Sequence, residues 1–114
     1  MRVLIVDDHA GYRSLARELL TSEGLDVVGE ARDGRTAGDR VRDLHPEVVL
    51  VDVQLADEDG FVVAERLAGL PGRRIVVLIS SHDPSDFADR LPGAAAGFIR
   101  KDELSAATIR ELIG

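Results

Sequence analysis

The sequence has no cysteine, which excludes disulfides, zinc–thiolate sites and thiol catalysis. It is also short of lysine: all of its 14 basic residues are arginine except Lys101. Long apolar runs are missing. The longest, such as Ile75 to Ile79, fall far short of a membrane span, and Met1 leads straight into a strand-like segment without a signal-peptide pattern. A cytoplasmic protein with no membrane association is expected. Internal repeats, low-complexity tracts and linkers are absent as well. What remains is 114 residues, 45 % hydrophobic and 31 % charged, the balance of one folded domain spanning 1–114. No output domain is expected, because the chain stops just after its last helical pattern. A domain of this size buries roughly two-thirds of the surface its unfolded chain exposes, enough for a core without staples. Acidic residues number 21 against 14 basic, for a formal charge of -7, so direct binding to nucleic acid or to an anionic membrane is disfavoured.

Five short apolar runs rich in β-branched residues recur, at Val3–Val6, Val27–Val28, Val48–Val51, Ile75–Ile79 and Phe98–Ile99. Helical periodicity fills the gaps. Tyr12, Leu15, Ala16, Leu19 and Leu20 fall on one apolar stripe, and Gly24 stands where a glycine would end that helix. Ala37, Val41 and Leu44 repeat the pattern before His45-Pro46, where proline stops it. Phe61, Ala64, Leu67 and Ala68 mark a third helix, closed by Pro71-Gly72. A fourth is expected from Pro84 to Leu91, with Asp83 as N-cap and Pro92 as the stop. The last spans about Glu103 to Ile113. Strand alternating with helix in this way predicts an α/β fold, a parallel sheet with helices on both faces. The first, third and fourth runs are apolar without alternation, as strands covered on both sides are.

In such sheets ligands bind outside the carboxyl ends of the strands. The first strand runs into Asp7 and Asp8, the third into Asp52, the fourth into Ser80 and Ser81, and the fifth into Arg100 and Lys101. The second is followed only by an Asp33-Gly34 turn. Carboxylates crowded at one edge raise one another's pKa unless a cation intervenes. Oxygen-only ligands with no histidine or cysteine nearby favour a hard ion, and two or three carboxylates suit Mg²⁺, which keeps waters and shares itself with a phosphoryl oxygen. Around a phosphoryl group Asp52 becomes nucleophile or acceptor, Lys101 a charge partner and Ser80 a hydroxyl donor. Taken singly, each residue has a plainer reading: Asp-Asp as turn or cap, the serines as loop, the lysine as solvated. Their joint placement at alternate strand ends is what turns and caps do not require. His9, His45 and His82, one per loop, are read as taking no metal or acid–base role. Asp57-Glu58-Asp59 reads as a solvated loop, and Gly60 as a helix start or a positive-φ turn. Removing either Asp7 or Asp8 is expected to relieve repulsion and stabilise the metal-free chain.

Val3-Leu4-Ile5-Val6-Asp7-Asp8, Val49-Leu50-Val51-Asp52 with Gly60 eight positions later, Val76-Val77-Leu78-Ile79-Ser80 and Gly97-Phe98-Ile99-Arg100-Lys101 follow in order. Together they resemble the receiver domain of bacterial response regulators, over the whole chain. The resemblance implies a flavodoxin-like (βα)5 doubly wound sheet of strand order 2-1-3-4-5. It implies that Asp52 takes a phosphoryl group from a histidine kinase or phosphotransfer protein, with Lys101 assisting. Mg²⁺ would be held by Asp8, Asp52 and the backbone carbonyl of Gln54, with Asp7 acting through water. Ser80 and Phe98 would form a switch pair that reorders the fourth helix and a surface read by a partner or by a second copy in a homodimer. Only self-catalysed transfer and dephosphorylation are implied, with no turnover of a separate substrate.

Departures from the family pattern are Leu55-Ala56 where Met-Pro is frequent, Ser80 for threonine, and Asp102 where proline often follows the lysine. Lys101-Asp102 resembles the subgroup with LuxR-type outputs. Both a single-domain regulator and the receiver part of a DNA-binding regulator fit. A phosphohydrolase of the haloacid dehalogenase type would need a second aspartate where Gln54 stands. A degenerate receiver would have lost an acidic position or the lysine, and a flavin site would need a Ser/Thr-rich loop after the first strand.

Overall fold

Runs of β-branched residues separated by helix-length segments can pair only in parallel, through crossovers. The computed structural model describes residues 1–83, 86 and 95–114. In chain order they form β1 (Arg2–Val6), α1 (Ala10–Ser22), β2 (Asp26–Ala31), α2 (Gly34–Leu44), β3 (Val48–Asp52), β4 (Gln54–Leu55), β5 (Glu58–Asp59), α3 (Gly60–Ala68), β6 (Ile75–Ser80), β7 (Ala95–Arg100) and α4 (Ala106–Ile113). Apart from Asp86, the expected fourth helix, Pro84 to Leu91, lies outside the described residues. One five-stranded parallel sheet runs in the order β2-β1-β3-β6-β7. With the small antiparallel β4–β5 hairpin set aside, this is the anticipated 2-1-3-4-5 order of a flavodoxin-like sheet.

Successive side chains of a strand face opposite sides, and here both sides are covered. Leu4, Val6, Val49, Val51, Val76 and Leu78 meet α2 and α3 through Ala37, Val41, Phe61, Ala64 and Leu67. Val3, Ile5, Leu50, Val77 and Ile79 meet α1 and α4 through Ala16, Leu20, Ala106 and Ile109. Each of these valine, leucine, isoleucine and phenylalanine side chains contributes about 1.5–3 kcal/mol by its burial. A one-residue slip would exchange the two sets of contacts along a strand, so the register and the carboxyl edge of the sheet are fixed.

Local signals end α1 and α2 as the sequence suggests, whereas α3 stops at Ala68 with Gly69 as its C-cap, ahead of the expected Pro71-Gly72. Gly24 takes φ 91 after α1, and His45, at φ 48, turns the chain out of α2 ahead of Pro46. The apolar stripe of α1 is wider than its contact: Ala16 and Leu20 are buried, whereas Leu15 is 63 % exposed. α4 begins at Ala106, not near Glu103, because Ser105 caps it reciprocally with Thr108 while Lys101–Glu103 forms a 3-10 turn. β7 starts at Ala95, three residues before the apolar pair Phe98–Ile99. A Cβ on its Gly97 would stand 2.6 Å from Leu112, so the small residues of this strand let α4 press close.

Candidate functional site

Parallel register gathers the chemistry at one edge. Val6 of β1 pairs with Val51 of β3, Asp52 with Ile79 of β6, and Ser80 with Arg100 of β7, so Asp7, Asp8, Asp52, Ser80 and Lys101 follow or end adjacent strands. Asp7, Asp52 and Ser80 are buried. The Lys101 ammonium lies 2.6 Å from Asp7 Oδ2 and 3.1 Å from Asp52 Oδ2. The other Asp52 oxygen accepts the backbone N–H of Gln54 at 3.1 Å. Burial pushes the Asp52 carboxyl above its ordinary value, reinforced by the Asp7 charge and opposed by the Gln54 N–H and Lys101. For Lys101 burial acts downward, but its contacts with Asp7 and Asp52 outweigh that, and its pKa is raised.

Gly60 explains how α3 reaches this edge. It is a helix start without positive φ; a Cβ there would fall 2.0 Å from the Asp52 carbonyl oxygen and 2.5 Å from Val53 Cα. Only glycine lets the helix begin against the strand that carries Asp52. The run Asp57-Glu58-Asp59 is more structural than a solvated loop: Asp59 caps α3, and Glu58 accepts from Gly34 N at 2.7 Å and from Arg66 at 3.0 Å.

The switch candidates sit together. Phe98 pairs with Leu78, two residues before Ser80 on β6, so Ser80 and Phe98 belong to the same sheet face. The ring is half-buried against the α2–α3 core. Ser80 Oγ accepts the backbone N–H of His82 at 3.0 Å. No cis peptide bond occurs among the described residues.

Three residues beyond the sequence-derived set take part. His9, read as a bystander, places Nδ1 3.0 Å from Asp7 Oδ1 and 3.2 Å from Asp8 Oδ1. Arg13 donates to the Asp7 carbonyl at 2.6 Å while its Nε meets Glu30 of β2 at 3.1 Å. Tyr12 lies with its ring centroid 4.6 Å from Lys101 Nζ, and its hydroxyl donates to the Lys101 carbonyl at 3.2 Å. Burial, then the Asp7 and Asp52 charges, push its phenol up, so it remains a donor at neutral pH. All three follow Asp8 within about a turn and a half of helix, which is the signal that marks them.

Asp7, Asp8, His9 and Asp52 each bring a ligand atom within 4.8 Å of the others. Asp8 Oδ1 is buried and accepts no hydrogen bond. An acceptor-only oxygen in that state, beside two more carboxylates, fits a hard divalent cation. A cavity of about 360 Å³ lined by Asp8, Arg32, Asp33 and Leu55 to Glu58 opens beside it. None of the described helices is long and apolar enough to cross a membrane.

The family model for the response regulator receiver domain matches residues 3–113. The chain is 39 % identical over 105 residues to the virulence-factor transcription regulator BvgA of Bordetella pertussis, covering 90 % of this chain and 49 % of BvgA. It superposes on the receiver domain of the response regulator NarL from Mycobacterium tuberculosis with TM-score 0.83 and 34 % identity, covering 99 % of this chain and 96 % of that one. A LuxR-family two-component response regulator from Aurantimonas gives TM-score 0.85 at 28 % identity, covering 99 % and 85 %. The chain spans about half the length of the curated transcription regulators it matches. Strand order, the acidic edge with its lysine and a match over almost every residue converge, and the chain belongs to the response regulator receiver domains of two-component systems.

Proposed function

We propose that the chain is a phosphoacceptor module, in which Asp52 accepts a phosphoryl group from a histidine kinase or phosphotransfer protein. One observation carries this reading: a buried carboxylate at the end of the central strand, with a lysine ammonium 3.1 Å from one oxygen and two further carboxylates beside it. An Asp52 oxygen forms the bond to phosphorus as the donor's P–N bond breaks, and the electron pair of that bond stays with the donor nitrogen. Lys101 then pairs with a phosphoryl oxygen, as a point charge suited to that task. Asp7, Asp8, Asp52 and the Gln54 backbone carbonyl would hold Mg²⁺, which offsets the charge gathering on the transferring group.

The Ser80 hydroxyl is the donor for another phosphoryl oxygen, and its movement frees room for Phe98 to turn inward. The surface that changes lies around β7 and is read by a partner or by a second copy of the chain. The protein acts in the cytoplasm, and its only chemistry is its own phosphorylation and dephosphorylation.

Intact mass after incubation with acetyl phosphate and Mg²⁺ tests the reading. The parent gains one phosphoryl group and Asp52→Asn gains none; undiminished labelling of that variant at the same site would overturn the assignment.

A further inference from the structure

Lys101 is the cation of the site and has a flexible four-carbon stem. Asp7 and Asp52 hold its ammonium from one side, at 2.6 and 3.1 Å. Tyr12, on the first turn of α1, meets the lysine at two points. Its ring lies 4.6 Å from Nζ, inside the distance of about 6 Å at which an aromatic face attracts a cation. Its hydroxyl reaches across 89 positions of sequence to the Lys101 main-chain carbonyl, at 3.2 Å. One side chain therefore grips both ends of the lysine.

We propose that Tyr12 is a positioning residue for phosphoryl transfer, keeping the Lys101 ammonium beside the Asp52 carboxylate and shielding it from water. The proposal rests on the phosphoacceptor reading above. As the Asp52 oxygen–phosphorus bond forms and the donor's bond to phosphorus breaks, the ammonium exchanges a carboxylate contact for a phosphoryl oxygen and keeps its protons. The ring gives it a face to pivot on during that exchange. Without the ring, the ammonium spends part of its time in solvent, and fewer encounters find it in place.

Two measurements on the full chain test this. Lys101 is the sole lysine, so protein labelled with ¹³C-lysine gives one side-chain signal set with no assignment needed. The ε-methylene signal is expected upfield of free lysine in the parent and in Tyr12→Phe, and at the free-lysine position in Tyr12→Leu. Asp52 labelling by acetyl phosphate with Mg²⁺ is expected to slow roughly fivefold in Tyr12→Leu, the size of one cation–aromatic contact. Tyr12→Phe should fall between the two.

In a Lys101→Ala background Tyr12→Leu should cause no further slowing. A merely structural tyrosine would impose the same loss in both backgrounds, and that result overturns the proposal. An unshifted lysine signal in a parent that is labelled normally overturns it too, and leaves the phosphoacceptor reading standing. A shifted lysine signal in a parent that takes no label at Asp52 overturns that reading, and with it any role of Tyr12 in transfer.

Discussion

Asp7 is fully buried with both oxygens engaged: Oδ1 takes the His9 N–H at 2.8 Å, and Oδ2 lies 2.6 Å from the Lys101 ammonium. Asp8 is partly open to water, and its buried Oδ1 accepts no hydrogen bond and has the exposed His9 Nδ1 3.2 Å away. Like-charge relief alone suggests that losing either carboxylate stabilises the metal-free protein; the geometry separates the two. Asp7→Ala strips a largely buried cation of its nearest partner, and should lower metal-free stability by about 2 kcal/mol or more. Asp8→Ala should leave it unchanged or raise it. Urea unfolding without divalent ions distinguishes these outcomes, and a parallel rise in both midpoints would refute the assigned role of Asp7. Asp7, Asp8, Asp52, Ser80 and Lys101 were legible in the sequence because apolar runs locate strand ends, and parallel strands share one edge. His9 and Tyr12 were not, because the placement of the start of α1 against the acidic edge decides what they touch, and that placement is set by Ala16 and Leu20, on the same face as Tyr12, packing against the sheet.

The start of α2 ties its cap to pH. Asp33 accepts the Thr36 N–H at 2.8 Å, and this hydrogen bonding, more than the neighbouring arginines, holds its carboxyl below the ordinary value. A carboxyl lowered on folding contributes stability that is present above its unfolded value of 3.8 and is lost as pH falls through the lower folded value. Asparagine caps equally well but carries no charge. Parent and Asp33→Asn should therefore differ near pH 6 and converge in thermal melts as pH falls through the lowered folded value of Asp33; a constant gap would mean that the charge plays no part. Elements signalled by side-chain pattern were readable, while those made by contact were misjudged. β7 opens with Ala95-Ala96-Gly97, which has no strand propensity of its own and is drawn into the sheet by β6 and by room for Leu112. Leu104 fits the period of α4, yet Ser105 decides where that helix begins.

Across the molecule, the interior strands β1, β3 and β6 are sealed between two apolar layers, and polar groups gather at their carboxyl ends. On the phosphoacceptor reading, a signal originating at Asp52 has little to move in the middle of the sheet and more at its β7 border, where most side chains are only partly buried. Bound beryllofluoride, a phosphoryl mimic, should change amide hydrogen exchange over residues 95–100 while β1 and β3 stay protected as before. Unaltered exchange over 95–100, with binding verified at Asp52, would mean that the output face lies elsewhere.

β7 presents neighbouring residues to unlike surroundings. Gly97 faces Leu112, which occupies the volume where a side chain would stand, whereas Phe98 faces the α2–α3 side. The strand is thus blocked toward α4, and the turn of the Phe98 ring proposed above cannot be absorbed by backing into that helix. On the proposed switch, the border strand would act as a rectifier: motion begun at the acidic edge would pass to the Phe98 side of β7 and not to α4.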